Sequence, residues 1–281
     1  MSKDTYAGTL AAAKKGWLSA HRYLLLRRAS QLSMLALFLC GPLTGLWIFK
    51  GNLAASRFLD TIPLSDPFIL LQSLATGTIA GSTALLGGAL IATFYLLSGG
   101  RVYCAWVCPV NILTDCAAWL RLRFRLREGI SLNRNTRYWM IAMVLAVTAL
   151  TGSLAWELIN PVTMLHRGLV FGLGLAWTIP LGIFAFDLLV SKRGWCGHLC
   201  PVGAFYSLLG RFSLLRVRAE RREHCSNCLD CYAVCPEPQV ISPALKGENG
   251  RGPVITGANC TNCGRCIDIC AERVFSFGRR F

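Results

Sequence analysis

The stretch from Cys225 to Cys270 reads CSNCLDCYAVCPEPQVISPALKGENGRGPVITGANCTNCGRCIDIC and contains eight cysteines. They fall into two runs of the same spacing, Cys225-x-x-Cys228-x-x-Cys231-x-x-x-Cys235 and Cys260-x-x-Cys263-x-x-Cys266-x-x-x-Cys270. Structural zinc sites are usually built from separated C-x-x-C pairs. The closer spacing here suits a larger metal centre, because one short loop can wrap three thiolates around it.

The spacing is that of bacterial ferredoxins, in which each run supplies three ligands to one cluster and a fourth ligand to the other. The sequence therefore predicts two [4Fe–4S] clusters. The predicted ligand sets are Cys225, Cys228, Cys231 and Cys270 for the first cluster, and Cys260, Cys263, Cys266 and Cys235 for the second. Pro236 follows Cys235 whereas Ala271 follows Cys270, so we expect a slightly different backbone at the second corner.

The rest of the chain is apolar. Of its 281 residues 54% are hydrophobic and 15% are charged, and the mean hydropathy is +0.47. Soluble domains contain about 25% charged residues, so we expect a membrane protein with a small soluble domain. Disulfides would explain 14 cysteines in a secreted chain, but eight are assigned to clusters. Cluster thiolates need a reducing compartment during assembly, which places that domain in the cytoplasm.

Four apolar segments are each long enough to cross about 30 Å of hydrocarbon as a helix. They are residues 32–49, 79–98, 138–156 and 168–190. Pro42 and Pro180 lie inside the first and fourth segments, where membrane helices tolerate kinks. The basic region before the first segment is too long for a secretory signal, and we expect an interfacial helix there around residues 17–26.

These segments predict an all-α polytopic membrane domain with four transmembrane helices, followed by a small α+β ferredoxin-like domain. The predicted boundaries are a cytoplasmic N-terminal tail at 1–31, the membrane domain at 32–215 and the two-cluster domain at 216–281.

The distribution of positive charge orients the predicted helices. Of the 29 Lys and Arg residues, 26 lie in 1–28, 99–138 and 191–281, and the other three are in the loops 50–67 and 157–167. The positive-inside rule therefore places both termini in the cytoplasm. This topology accounts for the net charge of +15, and no nucleic-acid-binding motif accompanies it.

The uncharged run 68–98 is longer than one span requires, since as a helix it would extend about 46 Å. We expect residues 68–75 to lie separately at the outer surface, with Gln72 among them and a break at Gly77.

An internal repeat relates two further cysteine motifs. Arg101-Val-Tyr-Cys104-Ala-Trp-Val-Cys108-Pro109-Val110 recurs 92 residues later as Arg193-Gly-Trp-Cys196-Gly-His-Leu-Cys200-Pro201-Val202. Each copy follows a pair of predicted spans, which favours two copies of one unit about an axis along the membrane normal. The four thiols Cys104, Cys108, Cys196 and Cys200 would then face each other. They could ligate a metal or a further cluster, act as redox thiols, or pack.

Two basic stretches recur as well, Leu122-Arg-Phe-Arg125 and Leu215-Arg-Val-Arg218. The alternation from Arg121 to Arg127 could form a strand that pairs with its repeat partner. Alternatively, this segment could snorkel against anionic lipid.

With four predicted spans, two C-x-x-x-C-P motifs and paired ferredoxin motifs, the chain resembles the NapH family, ferredoxin-type membrane proteins of periplasmic nitrate reductase systems. The resemblance covers nearly the whole chain. It implies a quinol dehydrogenase subunit that passes electrons from the quinol pool, through a periplasmic iron–sulfur partner, towards nitrate reductase.

A quinol site needs ionisable groups near an apolar slot. The candidates are His166, Glu157, Asp187 and Gln72, with Asp66 on the same outer loop as Gln72. The unperturbed pKa of His166 suits a base. Asp187 could instead pair with Lys192 or Arg193, one helical turn further on, and the others could be interfacial residues in contact with water. We interpret Cys40 and Cys116 as packing residues.

Two other functions stay open. Electrons could enter from a cytoplasmic donor at the ferredoxin-like domain, or the protein could be an assembly or anchoring factor for a periplasmic metalloenzyme. The predicted clusters lie inside and the proposed acceptor outside, and the sequence has no C-x-x-C-H haem attachment motif. Either the quinone pool carries the electrons across, or a further cofactor lies between the helices.

Overall fold

A computed structural model describes residues 7–126, 129–130, 132–172 and 174–281, which are mostly helical. The α-helices are α1 (Thr9–Lys15), α2 (Trp17–Ala20), α3 (Arg22–Thr44), α4 (Pro67–Ala75), α5 (Ser82–Ser98), α6 (Val102–Trp106), α7 (Val110–Arg123), α8 (Thr136–Thr151), α9 (Ala155–Ile159), α10 (Pro161–Phe171), α11 (Thr178–Leu189), α12 (Pro201–Gly210), α13 (Asp230–Val234), α14 (Ser242–Lys246) and α15 (Arg265–Ile269). The strands are β1 (Phe49–Gly51), β2 (Ala55–Phe58), β3 (Ile62–Ser65), β4 (Leu215–Arg218) and β5 (Ser276–Arg279).

The chain forms two compact units from non-contiguous segments. The cysteine unit contains the described part of Met1–Ser30 together with Tyr95–Trp106 and Ser207–Phe281. The helical unit contains Gln31–Phe94 and Val107–Tyr206, without the residues that are not described. The domain boundaries at residues 31 and 215 stay predictions.

The cysteine unit is built around a two-stranded antiparallel sheet and two short helices. Strand β4 pairs with β5, with Val217 opposite Phe277. Helix α13 packs on α15. Apolar side chains such as Ile241, Ile255 and Val274 fill the core together with Cys231 and Cys266. The predicted ligands therefore lie at the edge of a dry core.

The helical unit contains a small sheet in addition to its helices, so the expected all-α architecture is wrong there. Strands β1, β2 and β3 form an antiparallel meander in the loop 50–67. Phe49 lies opposite Phe58 with ring centroids 5.0 Å apart. Such cross-strand aromatic pairs stabilise short sheets. In the sequence, residues 50–67 stood out only as a loop with few charged residues, so this pairing was not predicted.

Among the described residues, α3 is the one helix that is both long and apolar enough to cross a membrane. Helices α5 and α8 and the run Leu175–Leu189 are apolar but shorter. Four transmembrane helices therefore remain a proposal.

The first predicted span, residues 32–49, does not coincide with the helix that the structure shows. Helix α3 begins at Arg22 rather than 32 and ends at Thr44, while Phe49 lies in β1. The expected interfacial helix 17–26 is divided between α2 and α3 at His21. Positive side chains do not interrupt a helix, so the apolar run marked only part of α3.

Glycines divide the third and fourth predicted spans. Helix α8 ends at Gly152, which has φ 64°, and Trp156 belongs to α9. Helix α10 ends at Gly172, with φ 85°, before α11 begins at Thr178. A left-handed glycine is a common helix terminator, so residues 168–190 are not one helix.

The expected break before the second span is present, since α4 is separate from α5 and Gly77 has φ 77°. The expected position of residues 68–75 at the outer membrane surface stays a prediction. Phe68 and Gln72 are fully buried.

The stretch that begins at Arg121 is not a strand, and Arg127 lies outside the described residues. Helix α7 continues to Arg123, and β4 pairs with β5 rather than with residues 122–125. Arg121 is buried and donates a hydrogen bond from Nη1 to the carbonyl oxygen of Leu188 (2.8 Å), so this side chain does not extend to lipid head groups.

Candidate functional site

The two cysteine runs of the cysteine unit have the same local backbone. Asn227 and Asn262 both have positive φ, at 53° and 45°. Leu229 and Gly264 are also left-handed, at 65° and 73°, and each immediately precedes a five-residue helix. Cys235 and Cys270 are both extended, so the difference expected from Pro236 and Ala271 is not present in the conformation of these two cysteines.

Each predicted ligand set lines a cavity of its own. Cys225, Cys228, Cys231 and Cys270 line one partly open cavity. A second cavity is lined by Cys235, Cys260, Cys263 and Cys266. In both cases the fourth cysteine comes from the other run, because α13 and α15 pack side by side.

The donor set fits a cluster better than a single ion. Throughout the described part of the chain, no three His, Cys, Asp or Glu side chains are arranged to hold one metal ion. In a [4Fe–4S] cluster each thiolate binds a different iron, so the sulfurs surround a volume rather than a point. Four thiols around each apolar-walled cavity meet that requirement.

Burial and positive charge act in opposite directions on these thiols. Burial raises the pKa of the Cys231 thiol to about 12 and that of Cys260 to about 11. Burial alone would also raise the pKa of Cys263, but Arg265 and Arg27 hold it below its ordinary value. A bound metal needs thiolates, so binding should release protons from the first two thiols.

A segment outside the ferredoxin-like run holds the second cysteine loop in place. Asn262 donates from Nδ2 to the carbonyl oxygen of Leu215 (2.8 Å), and Trp106 donates from Nε1 to the carbonyl oxygen of Asn262 (3.1 Å). Arg101 forms an ion pair with Glu237 (2.7 Å), and both side chains are almost fully buried. The repeat motif had marked Arg101, but nothing in the sequence connected it with the ferredoxin-like run.

The C-x-x-x-C-P cysteines are partly buried. Cys104 belongs to the cysteine unit. In the helical unit, Cys196 Sγ lies 3.8 Å from Thr114 Oγ1, Cys200 Sγ accepts a hydrogen bond from Gly203 N (3.4 Å), and Cys108 packs against the core. A shared metal or redox site at these four cysteines stays a prediction.

The candidate quinol residues occupy different environments in the helical unit. Asp187 accepts a hydrogen bond from the backbone of Trp195 (2.9 Å), while Arg193 forms an ion pair with Asp115 (3.4 Å). Glu157 accepts one from Asn160 (3.1 Å). His166 packs edge-on against Phe38 at a ring distance of 6.3 Å, and burial lowers its pKa.

Gln72 and Asp66 lie at opposite ends of one short helix. Gln72 Oε1 accepts hydrogen bonds from the backbone nitrogen of Trp156 (3.1 Å) and from the hydroxyl of Thr148 (3.4 Å). Asp66 caps α4, accepting from the backbone nitrogen of Phe68 (3.0 Å), and lies 3.3 Å from the hydroxyl of Tyr206. Burial raises the pKa of the Asp66 carboxyl to about 6.

Helices α4 and α10 are equivalent elements of the internal repeat. Each begins with proline after a capping residue, Asp66 or Asn160, whose side chain accepts from the backbone nitrogen two residues later. Gln72 and His166 are each the sixth residue after the cap. The Asp-Pro and Asn-Pro pairs could have revealed this relation, which was not predicted from the sequence.

Comparisons with known proteins match the same segments. A 4Fe-4S dicluster domain model matches residues 217–271, and a 4Fe-4S binding domain model matches 81–127 and 173–222. The latter two matches contain the two copies of the C-x-x-x-C-P motif.

Whole-chain relatives are ferredoxin-type proteins. The chain is 56% identical to the methylamine utilization ferredoxin-type protein MauN of Paracoccus denitrificans, covering 96% of this chain and 95% of the relative. It is 48% identical to the ferredoxin-type protein NapH of Haemophilus influenzae, covering 98% and 96%. Identity to NapH of Escherichia coli is 46% over the same shares. No solved structure matches significantly.

Proposed function

The chain belongs to the family of ferredoxin-type proteins that includes NapH and MauN, and we propose that it is the electron-transfer subunit of a membrane quinol dehydrogenase. It would pass electrons from quinol to a periplasmic iron–sulfur partner. The observation that carries the proposal is the division of eight cysteines into two sets of four, each around its own cavity in one unit. Two adjacent redox centres serve electron transfer rather than hydrolysis or group transfer.

The residues of the cysteine unit would perform distinct tasks. Cys225, Cys228, Cys231 and Cys270 would hold one [4Fe–4S] cluster and Cys260, Cys263, Cys266 and Cys235 the other; the clusters would supply one-electron carriers. Arg27 and Arg265 favour the Cys263 thiolate. The core around Ile255 and Val274 excludes water.

We also propose that the chain crosses the bacterial inner membrane four times with both termini in the cytoplasm. Helix α3, the shorter apolar helices α5 and α8, and the run Leu175–Leu189 are the proposed spans. Reporter fusions after residues 60 and 220 test this topology. We expect periplasmic activity at the first position and cytoplasmic activity at the second, and a periplasmic C-terminal reporter would contradict the proposal.

The destination of the electrons has two candidates. Similarity to NapH favours a periplasmic iron–sulfur protein of a nitrate reductase system. The higher identity to MauN, 56% against 48%, favours a periplasmic partner used in methylamine utilization. Growth of a deletion strain on methylamine, compared with anaerobic growth on nitrate, separates the two.

The deciding experiment uses the cluster-loaded protein in lipid without oxygen. A reduced quinol analogue is added, and cluster reduction is followed by electron paramagnetic resonance and absorbance. We expect quinol to reduce the clusters, and the signal of the cluster held by Cys235, Cys260, Cys263 and Cys266 to be lost in Cys263→Ser. Reduction by a low-potential cytoplasmic donor but not by quinol would favour electron entry at the ferredoxin-like unit. No effect of Cys228→Ser or Cys263→Ser on partner reduction would favour an anchoring role.

A further inference from the structure

Two buried nitrogen donors belong to neighbouring residues of the helical unit and lack a hydrogen-bond partner. Gln72 is 0% exposed and Trp156 is 1% exposed, and Gln72 Oε1 binds the backbone nitrogen of Trp156. Within the described residues, neither Gln72 Nε2 nor Trp156 Nε1 has a partner. Buried donors in proteins are nearly always satisfied, so these two nitrogens are available to an acceptor oxygen of a ligand.

Aromatic rings pack next to Trp156. The Trp156 ring lies 6.5 Å from Phe68 at 74° and 6.4 Å from Trp195 at 18°. Phe68 in turn lies 5.6 Å from Phe205. Phe68 and Gln72 are four residues apart on α4 and therefore share one face of that helix. Aromatic side chains of this kind favour a flat aromatic ligand, through stacked and edge-on contacts.

A carboxyl group and a phenol belong to the same group of side chains. Asp66 caps α4, which also carries Phe68 and Gln72, and its Oδ1 lies 3.3 Å from the hydroxyl of Tyr206. Tyr206 is adjacent to Phe205, with ring centroids 5.5 Å apart. The carboxyl can accept a hydrogen bond from a ligand hydroxyl, whereas the nitrogens of Gln72 and Trp156 can donate to a ligand oxygen.

The location agrees with a general property of membrane proteins built from repeats. In secondary transporters built from repeats, unusually short or Gly/Pro-interrupted apolar segments at corresponding positions of the two halves often carry the substrate site. Helices α4 and α10 are short, and each begins with proline. Helix α4 carries one unpartnered donor, Gln72 Nε2, and the buried acid Asp66 at its cap, and Trp156 on α9 supplies the second donor. On α10, the His166 ring packs against Phe38, and its Nε2 is also buried without a partner in the described residues.

We propose that Asp66, Gln72, Trp156 and Tyr206 form the binding site for the oxygen-bearing ring of a quinone or quinol. The ligand class rests on the proposed function. The indole of Trp156 and the amide of Gln72 donate to ring oxygens, Asp66 accepts from a quinol hydroxyl, and Phe68 packs against the ring.

Binding of a short-chain benzoquinone to the cluster-loaded protein in lipid nanodiscs tests the site. We expect Trp156→Phe, which keeps an aromatic ring and removes the donor, to raise the dissociation constant about five- to tenfold. Trp177→Phe is the matched control, because Trp177 Nε1 is also buried without a partner in the described residues. Unchanged affinity in Trp156→Phe, or equal weakening in both variants, would overturn the proposal.

Photoaffinity labelling of the unmodified protein with an azidoquinone avoids any dependence on the folding of variants. We expect label within residues 66–75 and 153–159, and label confined to 161–177, or no label, would overturn the site. The two proposals fail separately. Cluster reduction by quinol with label elsewhere would reject the site alone, whereas label at 66–75 without cluster reduction would reject the dehydrogenase.

Discussion

The carboxylate of Asp268 accepts a hydrogen bond from the backbone nitrogen of Leu24 at 2.9 Å, and a second from Tyr23 at 3.1 Å. These nitrogens lie in the first turn of α3, where a helix has no internal partner for them. In addition, Lys15 Nζ donates hydrogen bonds to the carbonyl oxygens of Ile267 and Asp268, both at 2.9 Å. Helix α15, which carries Cys266, thus caps the beginning of α3, and its own last carbonyl oxygens accept from Lys15 of α1.

Asp268→Ala should loosen the beginning of α3. Loss of an N-terminal cap costs about 1 kcal/mol, so hydrogen exchange at Tyr23 and Leu24 should accelerate about fivefold. Asp268→Asn is the control, because the amide oxygen can still accept. Equal protection in all three proteins, measured by exchange and mass spectrometry, would show that the cap contributes nothing.

Removing one partner of the Arg101–Glu237 ion pair should destabilise the protein more than removing both. Both side chains are at most 2% exposed. Arg101→Met leaves Glu237 buried without its charge partner and should cost about 3–5 kcal/mol, whereas Arg101→Met with Glu237→Leu should cost less. Unfolding midpoints and iron retention measure this. If the double variant is the less stable one, the pair is a net source of stability.

Single cysteine substitutions should remove one cluster at a time. Cys228→Ser and Cys263→Ser affect different cavities, so each should lower the iron content from about eight to about four atoms per chain. Cys116→Ser is the control, since Cys116 is exposed and lies in neither cysteine set. Complete loss of iron in one variant would show that the two sets do not assemble independently.

Asp66 should make stability depend on pH. Burial raises its folded-state pKa to about 6, above the ordinary 3.8, so the protonated folded form is favoured. This contribution, on the order of 3 kcal/mol, is fully present below about pH 4 and is lost as the pH rises through about 6. The unfolding midpoint of the native protein should therefore fall over this range relative to Asp66→Asn. Parallel pH curves for the two proteins would be inconsistent with a buried, titrating Asp66.

The cysteine spacing was sufficient to predict the chemistry of the cysteine unit. Ligand spacing is local, because three thiolates must come from one short loop. The repeated C-x-x-x-C-P motif was equally visible, as was the break at Gly77, where positive φ is acceptable to glycine but costly for other residues. Hydropathy identified the apolar helices, but their ends were wrong where Gly152 and Gly172 terminate α8 and α10.

The tertiary structure alone decided how distant parts of the chain meet. It brought Arg101 to Glu237, Asp268 to Leu24 and Asp66 to Tyr206, pairs separated by 136, 244 and 140 residues. Neither local spacing nor hydropathy encodes such contacts, because they depend on which buried surfaces pack together and on the need to satisfy each buried polar group. The sequence by itself therefore determined which metal chemistry to expect, and the packing decided which polar residues surround a candidate ligand site.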